Sequence, residues 1–381
     1  MEISIKCSNC GNPYPEAGAP YRCTKCGGIY QIKLMPQFFI ENAGRSEGIW
    51  SSLNPDCLKA KDHLITLGEG NTPLIQEQIE VKNQAWDVYY KCEYLNPTGS
   101  FKDRGSAAII TFLKERGIEN IFEDSSGNAG ASIAAYAARA GMRANVYVPA
   151  QASGVKKEQI KQYGANMILV EGPRSKVSEV LLRDLSKDNS GYSVYASHAH
   201  MPFNLYGYAT IALEIFKQLG KSPGTIMTPL GQGGCLLGVY YGFKSLLENG
   251  FIDRIPTFIG VQARACAPLW ATFEYGVSGL QWVSEGNTIA EGIRIKYPVR
   301  GDEVLQAIQM SNGKIFAVDE EEIINARVHL AHKGLLVEPT SAVVEAALIQ
   351  HIDEFNPPIV AILTGSGLKT MEVYGRSANP K

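Results

Sequence analysis

Two patterns of apolar positions alternate along the chain from about residue 66 to residue 365. Runs of consecutive apolar residues, such as VYV at 146–148 and IVAIL at 359–363, are typical of strands that a parallel sheet buries on both faces. Between these runs lie longer helix-like stretches, several of which are closed by glycine. Strands that alternate with helices of about ten or more residues predict an α/β fold, and their number favours two doubly wound lobes.

The two patterns give the following elements. Strands are predicted at residues 86–94, 118–124, 143–150, 165–172, 192–197, 225–231, 257–263, 314–319 and 358–365. Helices are predicted at residues 103–117, 128–141, 154–164, 176–188, 205–220, 235–250, 320–334 and 340–352.

The same patterns suggest how the chain is divided. Residues 1–30 are predicted to form a small module of their own, and residues 31–381 the main body, beginning with a connector to about residue 65. In the body we expect a smaller lobe of about residues 100–215, inserted into a larger lobe formed by about residues 60–99 and 216–381. Apolar residues make up 45% of the 381 residues and charged residues 19%, which is enough apolar material for both cores and argues against long disordered stretches.

The charge balance limits the partners that the chain is expected to have. Lys plus Arg number 36 and Asp plus Glu 38, and the resulting net charge of −2 argues against a non-specific nucleic-acid binder. No apolar run is long enough to cross a bilayer, and the first residues do not resemble a signal peptide. We therefore expect a cytoplasmic protein with neither a membrane nor a nucleic acid as its partner.

The N-terminal module carries a candidate metal site. Four of the eight cysteines, Cys7, Cys10, Cys23 and Cys26, form two Cys-x-x-Cys pairs that are separated by twelve residues. Four thiolates brought together suit tetrahedral Zn²⁺, and a site without histidine, acid or an open position is typical of structural zinc. Disulfides or free thiols are the alternatives, although disulfides are disfavoured without a secretory signal. The remaining cysteines, expected to be packed thiols, are Cys57, Cys92, Cys235 and Cys266.

Four glycine-rich loops follow predicted strands or precede predicted helices, where doubly wound sheets bind ligands. They are NPTGSFKDRG at 96–105, SSGNAG at 125–130, GQGGCLLG at 231–238 and LTGSGLK at 363–369. The second suits a carboxylate, with an ordinary helix cap as the alternative. The third suits a phosphate, because glycine N–H groups and a helix N-terminus would face it, with a tight turn as the alternative.

Lys102, in the first loop, is the candidate for covalent chemistry. Beside Phe101 its amine can be partly desolvated, which favours the neutral form that attacks an aldehyde. The alternative is a solvated surface lysine, as most lysines are.

The segment around Lys102, NPTGSFKDRG, resembles the cofactor-lysine motif of the pyridoxal-phosphate enzymes related to threonine synthase and the tryptophan synthase β-subunit. Further segments similar to this family are GEGNTPL at 68–74, SSGNAGASIAAYAARAG at 125–141, QYGA at 162–165, EGIRI at 291–295, EPTSA at 338–342 and LTGSGLK. The cysteine module also resembles the N-terminal extension of some archaeal-type threonine synthases. The resemblance implies the fold known as type II, in which two lobes surround pyridoxal phosphate, together with a zinc ribbon and a homodimer.

The resemblance also implies a role for each loop. Lys102 would form a Schiff base with pyridoxal phosphate and act as acid and base at the substrate Cα. Asn128 would bond the cofactor 3-hydroxyl and Ser366 the pyridine nitrogen, a partner that favours elimination and replacement over transamination. The cofactor phosphate would be held by Gly231, Gln232, Gly233, Gly234 and Cys235. The substrate carboxylate would be bound by Ser125, Ser126, Gly127, Asn128 and Ala129.

Three of these residues could instead have a purely structural role. Asn128 could be a residue at the start of a helix, Ser366 a turn residue and Cys235 a small residue packed in the core.

The chain departs from threonine synthases in the 201–210 segment, in the loop at 231–235 and at Ser366, and the first of these bears on the substrate. Where they usually read Asn-Pro-x-Arg-x-x-Gly-Gln-Lys-Thr, this chain has MPFNLYGYAT at 201–210, so Asn204 replaces the arginine and Ala209 the lysine. Each cation would contribute about 1.5–3 kcal/mol to binding a phosphate dianion. GYATIALEI at 207–215 and TIAEGI at 288–293 are instead similar to serine/threonine dehydratases. His198 and His200, nearby, either contact a substrate or are structural.

The expected function is therefore that of a threonine-synthase-like, pyridoxal-phosphate-dependent lyase. It would bind a small L-amino acid as an external aldimine, lose the Cα proton to Lys102, and eliminate or replace a β-substituent. One alternative is a true threonine synthase, which converts O-phosphohomoserine to threonine and phosphate. An alternative of another class is a non-catalytic zinc-ribbon binding protein.

Overall fold

The computed structural model describes residues 4–35, 48–53, 63–151, 154–172, 174–188 and 191–371, and in it the chain forms two compact units. The first unit comprises Met1–Gly70, Asn96–Thr98 and Lys102–Thr210. The second unit comprises Asn71–Leu95, Gly99–Phe101 and Ile211–Lys381.

The secondary structure alternates between strands and helices, as the sequence predicts. The strands are β1 (Ser4–Cys7), β2 (Tyr30–Leu34), β3 (Leu74–Val81), β4 (Gln84–Lys91), β5 (Asn120–Glu123), β6 (Arg143–Pro149), β7 (Asn166–Val170), β8 (Ser193–Tyr195), β9 (Thr225–Pro229), β10 (Thr257–Ala263), β11 (Lys314–Val318) and β12 (Ile359–Ile362). The helices are α1 (Lys102–Glu115), α2 (Asn128–Ala140), α3 (Val155–Gln162), α4 (Arg174–Leu185), α5 (Asn204–Leu219), α6 (Gly234–Glu248), α7 (Pro268–Tyr275), α8 (Gly301–Met310), α9 (Glu320–His332) and α10 (Pro339–His351).

The sheet of the first unit has the strand order β7-β6-β5-β8, and all of its pairs are parallel. Buried Phe122, Tyr147 and Tyr195 from three of its strands pack with Val177 and Leu181 of α4. Because β5 and β8 are parallel neighbours, the segments that follow them begin at the same edge of the sheet.

The sheet of the second unit has the order β11-β10-β9-β12-β4-β3. Its strands are parallel except for β3, which pairs with β4 as an antiparallel hairpin. The predicted parallel arrangement is thus confirmed for every strand of this sheet except β3. The sequence patterns predict no strand at residues 74–81, which form β3. Its alternating sequence, LIQEQIEV, suits a strand with one face in solvent, and Lys82 and Asn83 form the turn with φ of 54° and 60°.

The predicted helices are present with ends within a few residues of the prediction, and α7 and α8 are additional. The alanine-rich α2 ends at Gly141, which has a φ of 66° and donates its N–H to the carbonyls of Ala137 and Ala138. No described helix is both long and apolar enough to span a lipid bilayer.

The N-terminal ribbon pairs β1 with β2 in antiparallel fashion and continues to Leu34, beyond the predicted boundary at residue 30. Its Tyr14 ring lies 6.0 Å from Phe112 of α1 and 5.2 Å from Phe203, measured between centroids. Arg116, the residue after α1, donates a 2.8 Å hydrogen bond to the carbonyl of Pro15. The ribbon is therefore packed on the helix that carries Lys102.

Candidate active site

Lys102 is the first residue of α1 and is partly exposed. The next residue, Asp103, is fully buried, and its carboxylate accepts hydrogen bonds from the N–H of Thr98 at 2.6 Å and from the Thr98 hydroxyl at 2.5 Å. The carbonyl of Thr98 in turn accepts a hydrogen bond from Gln159. These contacts tie the loop that precedes Lys102 to the start of its own helix.

Helices α1 and α5 approach each other closely behind Lys102. A Cβ atom on Gly207 would lie 1.8 Å from the carbonyl oxygen of Arg104, and one on Gly105 would lie 2.6 Å from the Tyr208 ring. The Lys102 amine lies 5.9 Å from the centroid of that ring. Only glycine fits at both contact points, so the approach fixes the helix that carries Lys102.

The predicted carboxylate loop, residues 125–129, leads into α2, and all five of its residues are partly exposed. The Ser125 hydroxyl accepts a 3.2 Å hydrogen bond from the N–H of Gly127. Gly127 is the N-cap of α2, and no side chain caps the helix there. Helix N–H groups without a side-chain cap are suited to binding a carboxylate.

Glu69, in the GEGNTPL motif, is buried and joins this motif to α2. Its carboxylate accepts a 2.7 Å hydrogen bond from the Tyr136 hydroxyl and others from the Thr66 hydroxyl and the Leu67 N–H. Burial raises the pKa of the Glu69 carboxyl, although these hydrogen bonds act in the opposite direction.

His198 and His200 lie on the segment after β8, in different surroundings. His198 is 5% exposed, and its Nε2 lies 3.0 Å from the Ser106 hydroxyl. The His200 ring packs against Tyr21 and Tyr195. These contacts favour the structural alternative for both histidines over direct contact with a substrate.

The His198 imidazole is held in its neutral form. Burial, and after it the positive charge of Lys102, keep the pKa of His198 well below its usual range. A neutral ring adds no second positive charge beside the lysine.

In the second unit, the predicted phosphate loop follows β9 and leads into α6. A Cβ on Gly231 would lie 3.1 Å from the Cα of Ile293, and one on Gly233, whose φ is 86°, would lie 2.2 Å from a methyl of Val304. No side chain caps α6 at Gly233. The loop is thus a bare backbone cradle before a helix, which fits a phosphate group.

Gln232 and Cys235, two of the predicted phosphate-binding residues, are in different surroundings. The Gln232 side chain accepts a 2.9 Å hydrogen bond from the N–H of Val299, so Gln232 offers its backbone to the cradle. Cys235 is 5% exposed at the second position of α6. The sequence pattern alone does not show whether these two residues would contact the phosphate through their side chains or through their backbone.

Ser366 follows β12, the sheet neighbour of β9, so it lies beyond the same edge as the phosphate cradle. Its hydroxyl accepts a 3.3 Å hydrogen bond from the N–H of Leu368, which leaves the hydroxyl proton to donate. The flanking glycines leave room for their neighbours, because a Cβ on Gly365 would lie 2.2 Å from the Glu338 carboxylate and one on Gly367 would lie 2.9 Å from Leu336.

The peptide before Lys102 is bonded to the Ser366 loop. The N–H of Phe101 donates to the carbonyl of Thr364, and the N–H of Ser366 donates to the carbonyl of Gly99, both at 3.0 Å. The Ser341 hydroxyl accepts a 2.9 Å hydrogen bond from the N–H of Gly365. Ser341 thus supports this loop, a role that the EPTSA motif alone did not reveal.

The four paired cysteines of the ribbon lie together. The Cys26 sulfur is 3.4 Å from those of Cys7 and Cys10, and the Cys10 and Cys23 sulfurs are 3.7 Å apart. All four sulfurs lie within 4.8 Å of one another. Four sulfurs at about 2.3 Å from a tetrahedral Zn²⁺ are about 3.8 Å apart, so the spacing fits this ion.

The other cysteines agree with the expectation of packed thiols wherever the structure describes them. Cys92, Cys235 and Cys266 are buried and form no disulfide. Cys57 lies outside the described residues.

The two positions at which this chain lacks the arginine and lysine of threonine synthases are buried. Asn204 is 1% exposed, and its side-chain amide donates a 2.5 Å hydrogen bond to the carbonyl of His198. Ala209 has no exposed surface. These two positions therefore present neither a cation nor a free polar group to solvent.

Comparison with known proteins supports the motif-based reading. A family model described as pyridoxal-phosphate dependent enzyme matches residues 65–365. A threonine synthase from Methanocaldococcus jannaschii is 34% identical over 387 residues, covering 98% of this chain and 94% of its own. A threonine synthase from Synechocystis is 37% identical over 312 residues, covering 80% of this chain and 78% of its own.

The fold also has a known counterpart. The crystal structure of a fungal L-serine ammonia-lyase from Rhizomucor miehei is similar with a TM-score of 0.67, at 21% identity, over 81% of this chain and 99% of that one. At this identity the likeness shows the fold alone, and it confirms the predicted fold class.

Proposed function

We propose that this chain, which belongs to the family of pyridoxal-phosphate-dependent enzymes, eliminates or replaces a substituent at the β-carbon of a small, non-phosphorylated L-amino acid. The chain is a threonine-synthase-like lyase that uses pyridoxal phosphate, as the resemblance predicted. The alternative of a non-catalytic zinc-ribbon protein is therefore set aside. The proposal adds the substrate class and the residues that act on it.

Within each unit, the residues that the resemblance assigns to the cofactor carry groups suited to one part of it. The glycine cradle at 231–234, with Cys235, would hold its phosphate, and Ser366 would donate its hydroxyl proton to the ring nitrogen. Asn128 would bond the 3-hydroxyl, and Lys102 would bind the aldehyde carbon covalently through its amine. When bound, pyridoxal phosphate supplies an electron sink for the carbanion at the substrate Cα.

The residues of this chain would perform the remaining steps. The N–H groups and hydroxyls of Ser125, Ser126, Gly127, Asn128 and Ala129 would orient the substrate by its carboxylate. Lys102 Nζ would accept the proton from Cα and return one to the departing group or to the product. A hydroxyl from Ser366, rather than a carboxylate, would leave the ring nitrogen without a full proton and restrain the electron sink, which disfavours transamination.

The observation that carries the choice of substrate is the burial of Asn204 and Ala209. Threonine synthases usually have an arginine and a lysine at these positions, and a phosphate dianion gains about 1.5–3 kcal/mol from each charge-assisted hydrogen bond. In this chain one position holds an amide bonded to the His198 backbone, and the other a buried methyl. A substrate without a phosphate is therefore favoured.

A direct assay tests the substrate class. Incubation of the cofactor-loaded protein with L-serine or L-threonine is expected to release ammonia and a 2-oxo acid, with kcat/KM at least about tenfold above that for O-phosphohomoserine. A panel of amino acids with other β-substituents would extend the search, with binding and reaction monitored through the absorption of the bound cofactor. Efficient conversion of O-phosphohomoserine to threonine would contradict the proposal.

The second candidate function is that of a true threonine synthase, which would convert O-phosphohomoserine efficiently. It is favoured by the threonine synthases at 34% and 37% identity, the first of which covers 98% of this chain. The assay separates the two candidates, because only a threonine synthase forms threonine and free phosphate from O-phosphohomoserine.

We also propose that the four ribbon cysteines bind a structural Zn²⁺, in a cytoplasmic homodimer. Elemental analysis is expected to give about one zinc ion per chain, and Cys10→Ser should lose it and lower the melting temperature by several degrees. Cys266→Ser, outside the cluster, is the control and should keep the zinc. A zinc-free wild type that melts at the same temperature would contradict the zinc proposal.

A further inference from the structure

We propose that His198, Ser106 and Ser132 form a hydrogen-bonded network that positions Lys102 and Asn128 relative to each other, with His198 as its key positioning residue. The inference rests on the proposed function, since it assigns these two residues to one cofactor. None of the three network residues is placed in contact with the cofactor or the substrate.

The first part of the argument is the helical spacing. Ser106 lies four residues after Lys102 on α1, and Ser132 lies four residues after Asn128 on α2. Residues four apart lie on the same face of a helix, one turn apart. A contact between the two serines therefore fixes the starts of α1 and α2 to each other.

The second part is the contact itself. The Ser106 and Ser132 hydroxyl oxygens are 2.6 Å apart, and both residues are fully buried. A hydrogen bond this short, in a place without competing water, links the two helices directly. It joins them one turn behind the two residues that are expected to hold the cofactor.

His198 completes the network from a third segment. Its Nε2 lies 3.0 Å from the Ser106 hydroxyl, which thus bonds both Ser132 and the imidazole. The carbonyl of His198 is held by the Asn204 amide at the start of α5. The ring also lies edge-on to Tyr208, 6.4 Å between centroids, and Tyr208 is the aromatic ring beside the Lys102 amine.

The imidazole is expected to be neutral within the network, because burial lowers the pKa of His198. The charged and titratable groups that face it are Lys102 on α1 and Tyr208 on α5, while α2 presents the uncharged Ser132. A protonated ring would place a second cation near Lys102 in a buried site, which costs free energy. Acid is therefore expected to disturb the position of Lys102 as the ring becomes charged.

The test compares two substitutions at position 198. His198→Leu removes the hydrogen bond to Ser106, and His198→Gln keeps a polar group that can reach it without being able to titrate. His200→Gln is the matched control, because this histidine lies two residues away and packs on Tyr21. Each protein is loaded with pyridoxal phosphate, and kcat, KM, melting temperature and the visible circular dichroism of the bound cofactor are measured from about pH 8 down to about pH 4, since the ring is expected to become charged only well below its usual pKa.

We expect His198→Leu to lower kcat by about 10–100-fold, to change KM far less, and to alter the visible circular dichroism. His198→Gln should restore kcat to within about threefold of the wild type and lack the loss of dichroism that the wild type shows at the acid end. His200→Gln should behave as the wild type.

Two results would overturn the inference. One is a His198→Leu protein with unchanged kcat and cofactor dichroism, and the other is a loss of kcat that only follows a loss of folded protein at the assay temperature. A wild type that develops no visible cofactor band would instead reject the proposed function, before any variant is made.

Discussion

Replacement of Lys102 by alanine is expected to abolish covalent cofactor binding and to lower the rate of the lyase reaction by at least about a thousandfold. Lys102 is the proposed point of attachment and also the group that would move the Cα proton, so one substitution removes both functions. The visible absorption of the cofactor-loaded protein should shift to that of free pyridoxal phosphate. Borohydride reduction followed by peptide mass spectrometry should find the label on Lys102 in the wild type.

Lys114→Ala is the matched control, because Lys114 lies in the last turn of the same helix. It should retain the visible band, the borohydride label and the rate. If the label appears on another lysine in the wild type, or if Lys102→Ala keeps a band typical of a Schiff base, Lys102 does not have the proposed role.

Gly130→Ala is expected to destabilise the first unit by about 2–3 kcal/mol and to raise KM for the amino acid. A Cβ at position 130 would lie 1.8 Å from the carbonyl oxygen of Ser125, so either α2 or the carboxylate loop must move. Both outcomes displace the N–H groups that are proposed to bind the substrate. Thermal and urea unfolding would measure the loss of stability, and steady-state kinetics the change in KM.

Gly127→Ala separates the two effects within the same loop. A Cβ there would lie 3.7 Å from the Ser125 hydroxyl, an ordinary contact, and the φ of −102° suits alanine. Its stability should stay within about 0.5 kcal/mol of the wild type, while a methyl group beside the substrate carboxylate should still raise KM. Equal stability of the two variants would contradict the close approach at Gly130.

The parts of the fold that could be predicted from the sequence are those set by local patterns. The buried strand IVAI and the helix of α5, predicted at 205–220 and found at Asn204–Leu219, each carry their signal within one stretch of residues. The helices α7 and α8, with eight and ten residues, are too short for a clear helical period, whereas α3, also of eight residues, lies between Gly154 and Gly164, which mark its ends. Continuous apolar runs do not indicate the edge strand β3, because its apolar residues alternate with polar ones.

Some residues of the candidate site can likewise be predicted from local patterns, whereas others depend on contacts between distant parts of the sequence. Lys102 could be proposed because its motif is contiguous. The contact between His198 and Ser106 joins residues 92 positions apart, and the bond from the N–H of Val299 to Gln232 spans 67 positions, so no local pattern predicts either. The spacing of four residues from Lys102 to Ser106 was visible in the sequence, but nothing there indicated a partner. The limits of the lobes and the roles of the site residues stay predictions.

The hairpin strand β3 has a consequence for solubility. It is the outermost strand of its sheet, and an unpaired border of N–H and C=O groups can recruit a strand from another molecule and start aggregation. This border carries Glu77 and Glu80, and the ammonium of Lys333 lies 3.3 Å from the Glu77 carboxylate and 3.4 Å from the carbonyl of Gln78. Charge along the strand and a lysine bound to its backbone protect the chain from growing into intermolecular sheets.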